Sequence, residues 1–381
     1  MANNKLALND VFFALDELAP RHFAADWDNV GPLIVPQKGM FVERVMLCID
    51  LTERVLAEAI QKKCQLIVAY HPTIFKGLNR LIVDAQSDFT QRVAVQCIQK
   101  GIAVYSPHTA LDASPGGLND WLCEAFDTRN ILPLKSVDSE ANKQVKIVVF
   151  VPESHADSLR EALAEVGVGV IGNYTKCSYN LKGWGTFCGN EKSRPARGKK
   201  NQLEKVEELR LEMLCSLNRL NAVARCIAEH HPYEEPAWDA IPLQSKPHIQ
   251  AAQGRVCELK KAQTLKQLVS AVKSHLNLSS VRVAAPADLR KGGAKISEIA
   301  LCAGAGGSVF SGSHYQAYLT GEMRHHDVLA YVEQGSVVIL CEHSHSERGY
   351  LSVFAQKLKA ILPRGVDIFL SKQDVEPLQV V

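Results

Sequence analysis

A chain of 381 residues is long for a single hydrophobic core and predicts two domains. Its 46% hydrophobic and 22% charged residues are those of an ordinary soluble globular protein. With 43 basic against 41 acidic residues, the formal net charge of +2 gives no electrostatic reason to expect nucleic acid or an anionic membrane as a partner.

Eleven cysteines, an odd number with no Cys-x-x-Cys pair, point to reduced thiols in a cytoplasmic or nuclear compartment. Cys48, Cys302 and Cys341 lie inside apolar runs and read as small core residues. The first residues lack the apolar stretch of a signal peptide, and no later segment has the length of a membrane span.

In chain order, residues 44–51 read as a strand, 52–63 as an amphipathic helix with Thr52 as N-cap, and 66–70 as the next strand. Residues 87–100 read as a helix stopped by Gly101, before a strand over 102–105. This alternation favours a mainly parallel sheet covered by helices. The middle differs: a strand over 145–151, a helix over 155–166, a hairpin over 177–188 turning at Gly183-Trp184-Gly185, a strand over 206–214 and a helix over 217–230. That order predicts a compact α+β domain of ferredoxin-like type, inserted between two halves of a larger α/β domain. The first rhythm then returns, with helices over 264–275, 324–334 and 347–362, strands over 297–302, 317–320 and 337–341, and an edge strand over 366–370. The expected division is 1–140 and 255–381 for the α/β domain and 141–254 for the insertion.

Metal-type side chains stand at the ends of three of these strands: His71 after 66–70, His108 and Asp112 after 102–105, and His343 and Glu347 after 337–341. Open α/β sheets place ligands at such carboxyl ends. If both halves share one sheet, these distant residues meet. Imidazole with carboxylate and no thiolate suits Zn, Fe, Mn, Co or Ni, and a glutamate can bridge two such ions. Each element also has a plainer reading: His71-Pro72 as a turn, Asp112 as a helix cap, Glu347 as a helix start near the positive dipole end. Gly304, Gly306 and Gly307 follow a strand and could present amides to a phosphate or form a tight turn. Of His325 and His326, one could face the site as an acid, a base or an outer partner. His230-His231 with Glu234-Glu235 reads as a structural corner, and Arg194, Arg197, Lys199 and Lys200 as a solvated loop.

Four motifs carry a family resemblance: Tyr70-His71-Pro72-x-x-Phe75, His108-Thr109-x-x-Asp112, Leu319-Thr320-Gly321-Glu322-Met323-x-His325-His326-Asp327 and Cys341-Glu342-His343-x-x-Ser346-Glu347. They resemble those of the Nif-three-like family, also called the type-two GTP cyclohydrolase I family. Asp26-Trp27-Asp28-Asn29-Val30-Gly31-Pro32 resembles its first motif, and residues 374–381 the tail of its eukaryotic members. Within the insertion, Gly167-Val168-Gly169-x-Ile171-Gly172-Asn173-Tyr174, Gly183-x-Gly185-x-Phe187 and His231-Pro232-Tyr233-Glu234-Glu235-Pro236-Ala237 resemble a family subset whose inserted domain is similar to nitrogen-regulatory and copper-tolerance proteins.

The resemblance implies a three-layer fold with a mainly parallel sheet, and one or two divalent ions. One ion would take His71, Asp112 and Glu347; the other would take His343 and the shared Glu347. A further histidine expected for the second ion is replaced by Tyr70, which leaves His345, or Tyr70 itself, as the alternative ligand. His108 and His326 would be outer partners or proton carriers. The implied activity is metal-dependent hydrolysis of a nucleotide or related heterocycle. The alternatives are a metal-binding scaffold with protein partners, or a metal carrier. The implied assembly is a toroidal homo-hexamer.

Overall fold

The computed structural model describes residues 6–82, 84, 88–137, 143–244, 251–290, 294–363 and 365–378. It separates into two compact units, one formed by Met1–Val137 with Pro247–Val381 and one by Asp138–Lys246.

The larger unit holds two large sheets, where the sequence suggested one, and a two-stranded pair of Leu6–Ala7 with Phe41–Val42. The five-stranded sheet runs Asp367–Leu370, Arg44–Cys48, Leu66–Ala69, Ala103–Ser106 and Gly31–Ile34. Its first four strands are parallel and Gly31–Ile34 is antiparallel. The six-stranded sheet runs Arg282–Ala284, Val337–Leu340, Ala317–Thr320, Ile296–Cys302, Ala252–Gln263 and Thr128–Ser136. There only Val337–Leu340, Ala317–Thr320 and Ile296–Cys302 are mutually parallel. Both large sheets are thus mixed; the five-stranded one is mainly parallel as expected, and the six-stranded one, with more antiparallel than parallel pairings, corrects that expectation. The cause is visible in Thr128–Ser136, a largely exposed strand that a helix-covered parallel sheet would not tolerate but an antiparallel edge does.

Period-two alternation assigns the parallel strands to their layers. Val45 and Leu47 enter the core shared with Ile299, Leu301 and the helices Leu8–Leu18, Leu265–Leu276 and Tyr350–Ile361, while Met46 and Cys48 point the other way onto the helices Glu53–Gln61 and Phe89–Lys100. Ala300, Cys302, Tyr318 and Val338 form a further layer behind the six-stranded sheet. Local signals set the helix ends. Thr52 accepts from the Val55 amide, Thr264 closes a capping box with Gln267, and Gly101 ends Phe89–Lys100 at φ 66°. Asp88 caps that helix, and Ser87, its expected first residue, lies outside the described residues.

Two helices differ from expectation. Residues 347–362 divide into a short turn His345–Arg348 and the helix Tyr350–Ile361. Asp112 is not a cap but lies inside the helix His108–Ala113.

In the smaller unit the order is strand, helix, two strands, helix, strand. Its antiparallel sheet runs Trp238–Pro242, Gln144–Val151, Leu203–Ser216 and Ser178–Cys188. The helices Glu153–Glu165 and Leu220–His230 bury Leu159, Leu163, Val223 and Ile227 against Ile147, Val149 and Leu211. Gly183-Trp184-Gly185 is not a hairpin turn. It lies mid-strand opposite Val206, Glu207 and Glu208, and the connection falls at residues 189–202. Among the described residues, no helix is long and apolar enough to cross a membrane.

Arg255, 2% exposed on Ala252–Gln263, ties the sequence-distant halves of the larger unit together. Its guanidinium donates to Asp120 Oδ1 (2.5 Å) and to the carbonyls of Ala252 (2.5 Å), Gly254 (3.0 Å), Ala113 (3.3 Å) and Ser114 (3.2 Å). Arg255→Met removes every one of these donors from buried acceptors, and the expected loss of stability is about 3 to 5 kcal/mol. The shift of the urea unfolding midpoint measures it; a loss below about 1 kcal/mol would show that the carbonyls find other donors.

Candidate metal site

The carboxyl ends of the parallel strands in both sheets converge. From the five-stranded sheet come Asp50, Tyr70 and His71, and His108 and Asp112 beyond Ala103–Ser106; from the six-stranded sheet come Gly304, Glu322, His343 and Glu347. Glu347 occupies the centre and is 2% exposed. Its Oε2 lies 3.4 Å from His71 Nε2 and its Oε1 3.3 Å from His343 Nε2. Ligand atoms of His71, His343 and Glu347 all fall within 4.8 Å of one another. The sequence reading paired His71 with Asp112 and Glu347 round one ion; the geometry groups His343 with His71 and Glu347.

Each imidazole is oriented from behind by a carboxylate. His71 Nδ1 donates to Asp50 Oδ1 (2.9 Å), His343 Nδ1 to Glu322 Oε1 (2.9 Å) and His108 Nδ1 to Asp28 Oδ1 (2.8 Å). Such pairing fixes the ring and directs Nε2 forward, as metal-ligating histidines require. His71 Nε2 and Glu347 Oε2 are buried and make no hydrogen bond. Two orphaned polar atoms facing each other across a cluster of imidazole and carboxylate fit a divalent cation placed among them.

Asp112 stands behind this set, 7% exposed, and accepts the Tyr70 hydroxyl on Oδ1 at 2.6 Å. Burial, with Glu347 and Asp28 nearby, pushes its carboxyl up to about 6 despite the opposing effects of His108 and the Tyr70 hydrogen bond. Burial and the charges of Asp112 and Glu347 hold the Tyr70 phenol well above its usual value, so Tyr70 serves Asp112 as a hydrogen-bond donor. His108 lies at the edge, its ring 5.4 Å from His71 and 5.5 Å from Tyr70. His345, His325 and His326 stand outside the cluster. His345 begins the turn His345–Arg348, and His325 and His326 are exposed at the start of His325–Glu333.

The glycine run packs closely against the site. A Cβ at Gly304, where φ is 59°, would lie 2.6 Å from Glu347 Oε1 and 3.1 Å from His343 Nε2. The Gly304 amide donates to Ser346 Oγ (2.8 Å) and the Gly306 amide to Thr320 Oγ1 (2.9 Å), so neither is turned outward; Gly307 lies beside Met323 and Asp327. Glu342 at φ 66° and His108 at φ 25° hold left-handed conformations that their side chains disfavour.

Sequence reasoning missed the orienting role of Asp50, Asp28 and Glu322 and all of the support from the tail. Asp374 accepts from the amides of Ile49 (2.6 Å) and Asp50 (3.4 Å) and pairs with Arg348 (2.9 Å), while Glu376 accepts from the Ser344 hydroxyl. Asp50 sits at a strand end like His71, and that position was its available signal. The Asp374 and Glu376 contacts leave no local pattern.

Burial lowers the pKa of His71, but the hydrogen bond to Asp50 and the nearness of Glu347 outweigh it and push the value up to about 10. In the metal-free protein at neutral pH, an incoming cation therefore displaces a proton. Apparent metal affinity should fall about tenfold for each unit that pH drops below 9, and about one proton should be released per ion at pH 7.5. Calorimetry in buffers of different ionisation enthalpy measures both; pH-independent binding would show that His71 is not a ligand.

A model of the family described as Duf34/NIF3 (NGG1p interacting factor 3) matches residues 6–377. NIF3-like protein 1 of Bos taurus is 34% identical over 380 residues, covering 98% of this chain and 92% of the relative. A Bacillus subtilis protein named GTP cyclohydrolase 1 type 2 homolog is 31% identical over 368 residues, covering 95% of each. Among solved structures, the Bacillus cereus protein related to NIF3 has 29% identity and a TM-score of 0.64 with 99% of each chain covered. A Staphylococcus aureus protein has 25% identity and a TM-score of 0.74 over 100% of each. The family model and the relatives both span nearly the whole chain, converging imidazoles and carboxylates included: the protein belongs to the Duf34/NIF3 family.

Proposed function

We propose that this protein is a divalent-metal-dependent hydrolase acting on a nucleotide or related heterocycle. The observation that carries the reading is Glu347, buried between two carboxylate-oriented imidazoles, with its Oε2 and His71 Nε2 left without hydrogen bonds. A divalent ion bound there would supply a Lewis acid that polarises substrate and brings the pKa of water toward neutrality. His71, His343 and Glu347 would hold it, and Asp50 and Glu322 would keep the rings in register. Asp112, whose carboxyl pKa is raised by burial, and His108, oriented by Asp28 at the edge, are the groups placed to pass protons to and from a substrate. Relatives named GTP cyclohydrolase 1 type 2 homolog support a nucleotide ring as the target.

Tyr70 favours a second reading, a single-ion scaffold or metal carrier with protein partners. Its phenol keeps its proton for Asp112 and gives a second ion no ligand there. On either reading, the strand order of Asp138–Lys246 supports a ferredoxin-like module inserted in the larger domain.

Glu347→Gln keeps the shape and removes the central charge. Metal content after dialysis should fall at least about a hundredfold, together with hydrolysis across a nucleotide panel, and full turnover by metal-stripped protein would refute the hydrolase reading. Tyr70→His separates the two readings: elemental analysis should show a second equivalent of metal with faster turnover if the site is catalytic, and no change in either favours the scaffold.

A further inference from the structure

We propose that the cleft beside His71 binds an anionic planar heterocycle, the ring resting on Trp27 and Phe75 and the phosphate meeting Arg54 and Lys76. The assignment rests on the hydrolase reading and names the part of the protein that would grip its substrate.

The cleft has a volume of about 1000 Å³ and runs from Asp50 and His71 past Phe75 and Lys76 to Arg54. That is the size of a small-molecule site, and His71, one of the candidate metal ligands, forms part of its wall. Its charges are unequally satisfied. Asp50 is bonded to His71, Glu53 to Arg92, Asp374 to Arg348, and Asp88 caps the Thr90 amide. Among the described residues, Arg54 and Lys76 are exposed and have no such partner. The acids of the cleft are spent on internal contacts and two cations are left over, which suits a phosphate or another anion.

Phe75 lines the cleft, and Trp27 stands next to it. Trp27 is 63% exposed and Phe75 45%, with ring centroids 5.8 Å apart, and Trp27 lies 6.0 Å from His108. The loops that carry them are pinned: Asn29 Nδ2 donates to the Ile74 carbonyl at 2.5 Å, and Asp28 accepts from His108 and from the Thr109 amide at 3.1 Å. Two large rings are therefore held in water at the edge of a polar site, an arrangement that costs apolar exposure unless a flat ligand covers it. Aromatic faces accept any planar base, and the two unpartnered cations of the cleft select a ligand that also carries negative charge.

The test uses metal-loaded protein and calorimetric titration with guanosine monophosphate, guanosine and ribose 5-phosphate. The parent should bind the nucleotide more tightly than either half. Trp27→Leu should weaken nucleotide binding about tenfold and shrink its preference over ribose 5-phosphate. The double variant Arg54→Ala/Lys76→Ala should weaken it about tenfold and shrink its preference over guanosine. All three side chains are exposed, and metal content equal to the parent confirms that each variant is folded. No nucleotide binding by the parent, or affinities within about twofold of it in both variants, overturns the proposal. Binding with the expected pattern but without turnover refutes the hydrolase reading and leaves the cleft assignment standing. Turnover with KM unmoved in both variants does the reverse.

Discussion

A carboxylate withdrawn from water has to be met by positive charge or by donors, and Glu347 is met from opposite sides by the Nε2 atoms of His71 and His343. The rest of the larger unit can be understood as the means of bringing those imidazoles to it. His71 leaves one sheet and His343 the other, so the two sheets have to pack with the carboxyl ends of their parallel strands facing a common point. Arg255 and the shared core hold the sequence-distant halves in that relation. The outer carboxylates Asp50 and Glu322 then set ring orientation.

Close approach has a backbone cost. Glu342 and His108 adopt left-handed conformations at about 1 to 3 kcal/mol each, and Gly304 avoids a collision that any side chain would suffer. All three positions lie at the site, although Lys63, Lys176, Asn201 and Asn277 hold positive φ elsewhere. Part of the restraint comes from the tail. Asp374 is bonded both to the backbone that carries Asp50 and to Arg348, the neighbour of Glu347, so one carboxylate braces the two sides of the cluster.

Much of this was legible in the residues themselves. Strands 317–320 and 337–341 were readable as short apolar runs, and Thr52, Thr264 and Gly101 marked helix ends through capping chemistry that operates within a few residues. Strand ends pointed to His71, His108, His343 and Glu347. Other elements were illegible for definite reasons. Ala252–Gln263 and Thr128–Ser136 mix charged and apolar residues, because an antiparallel strand with a solvated face needs no continuous apolar run. Gly183-Trp184-Gly185 has the composition of a turn, yet its pairing with Leu203–Ser216 keeps it extended.

Residue chemistry alone therefore determined the repertoire: imidazoles and carboxylates without thiolate, placed at strand ends, the pattern of a borderline divalent cation. Which of them gather, and in what roles, was decided by tertiary structure. Asp112 and Tyr70 became a hydrogen-bonded pair behind the cluster, His343 joined His71 round Glu347, and Asp50, Asp28 and Glu322 became the orienting partners. The physical reason is that hydrogen bonding and burial act over a few ångströms in space. Two sheets that share one core with the helices Leu8–Leu18 and Tyr350–Ile361 bring within that range residues that lie hundreds of positions apart along the chain.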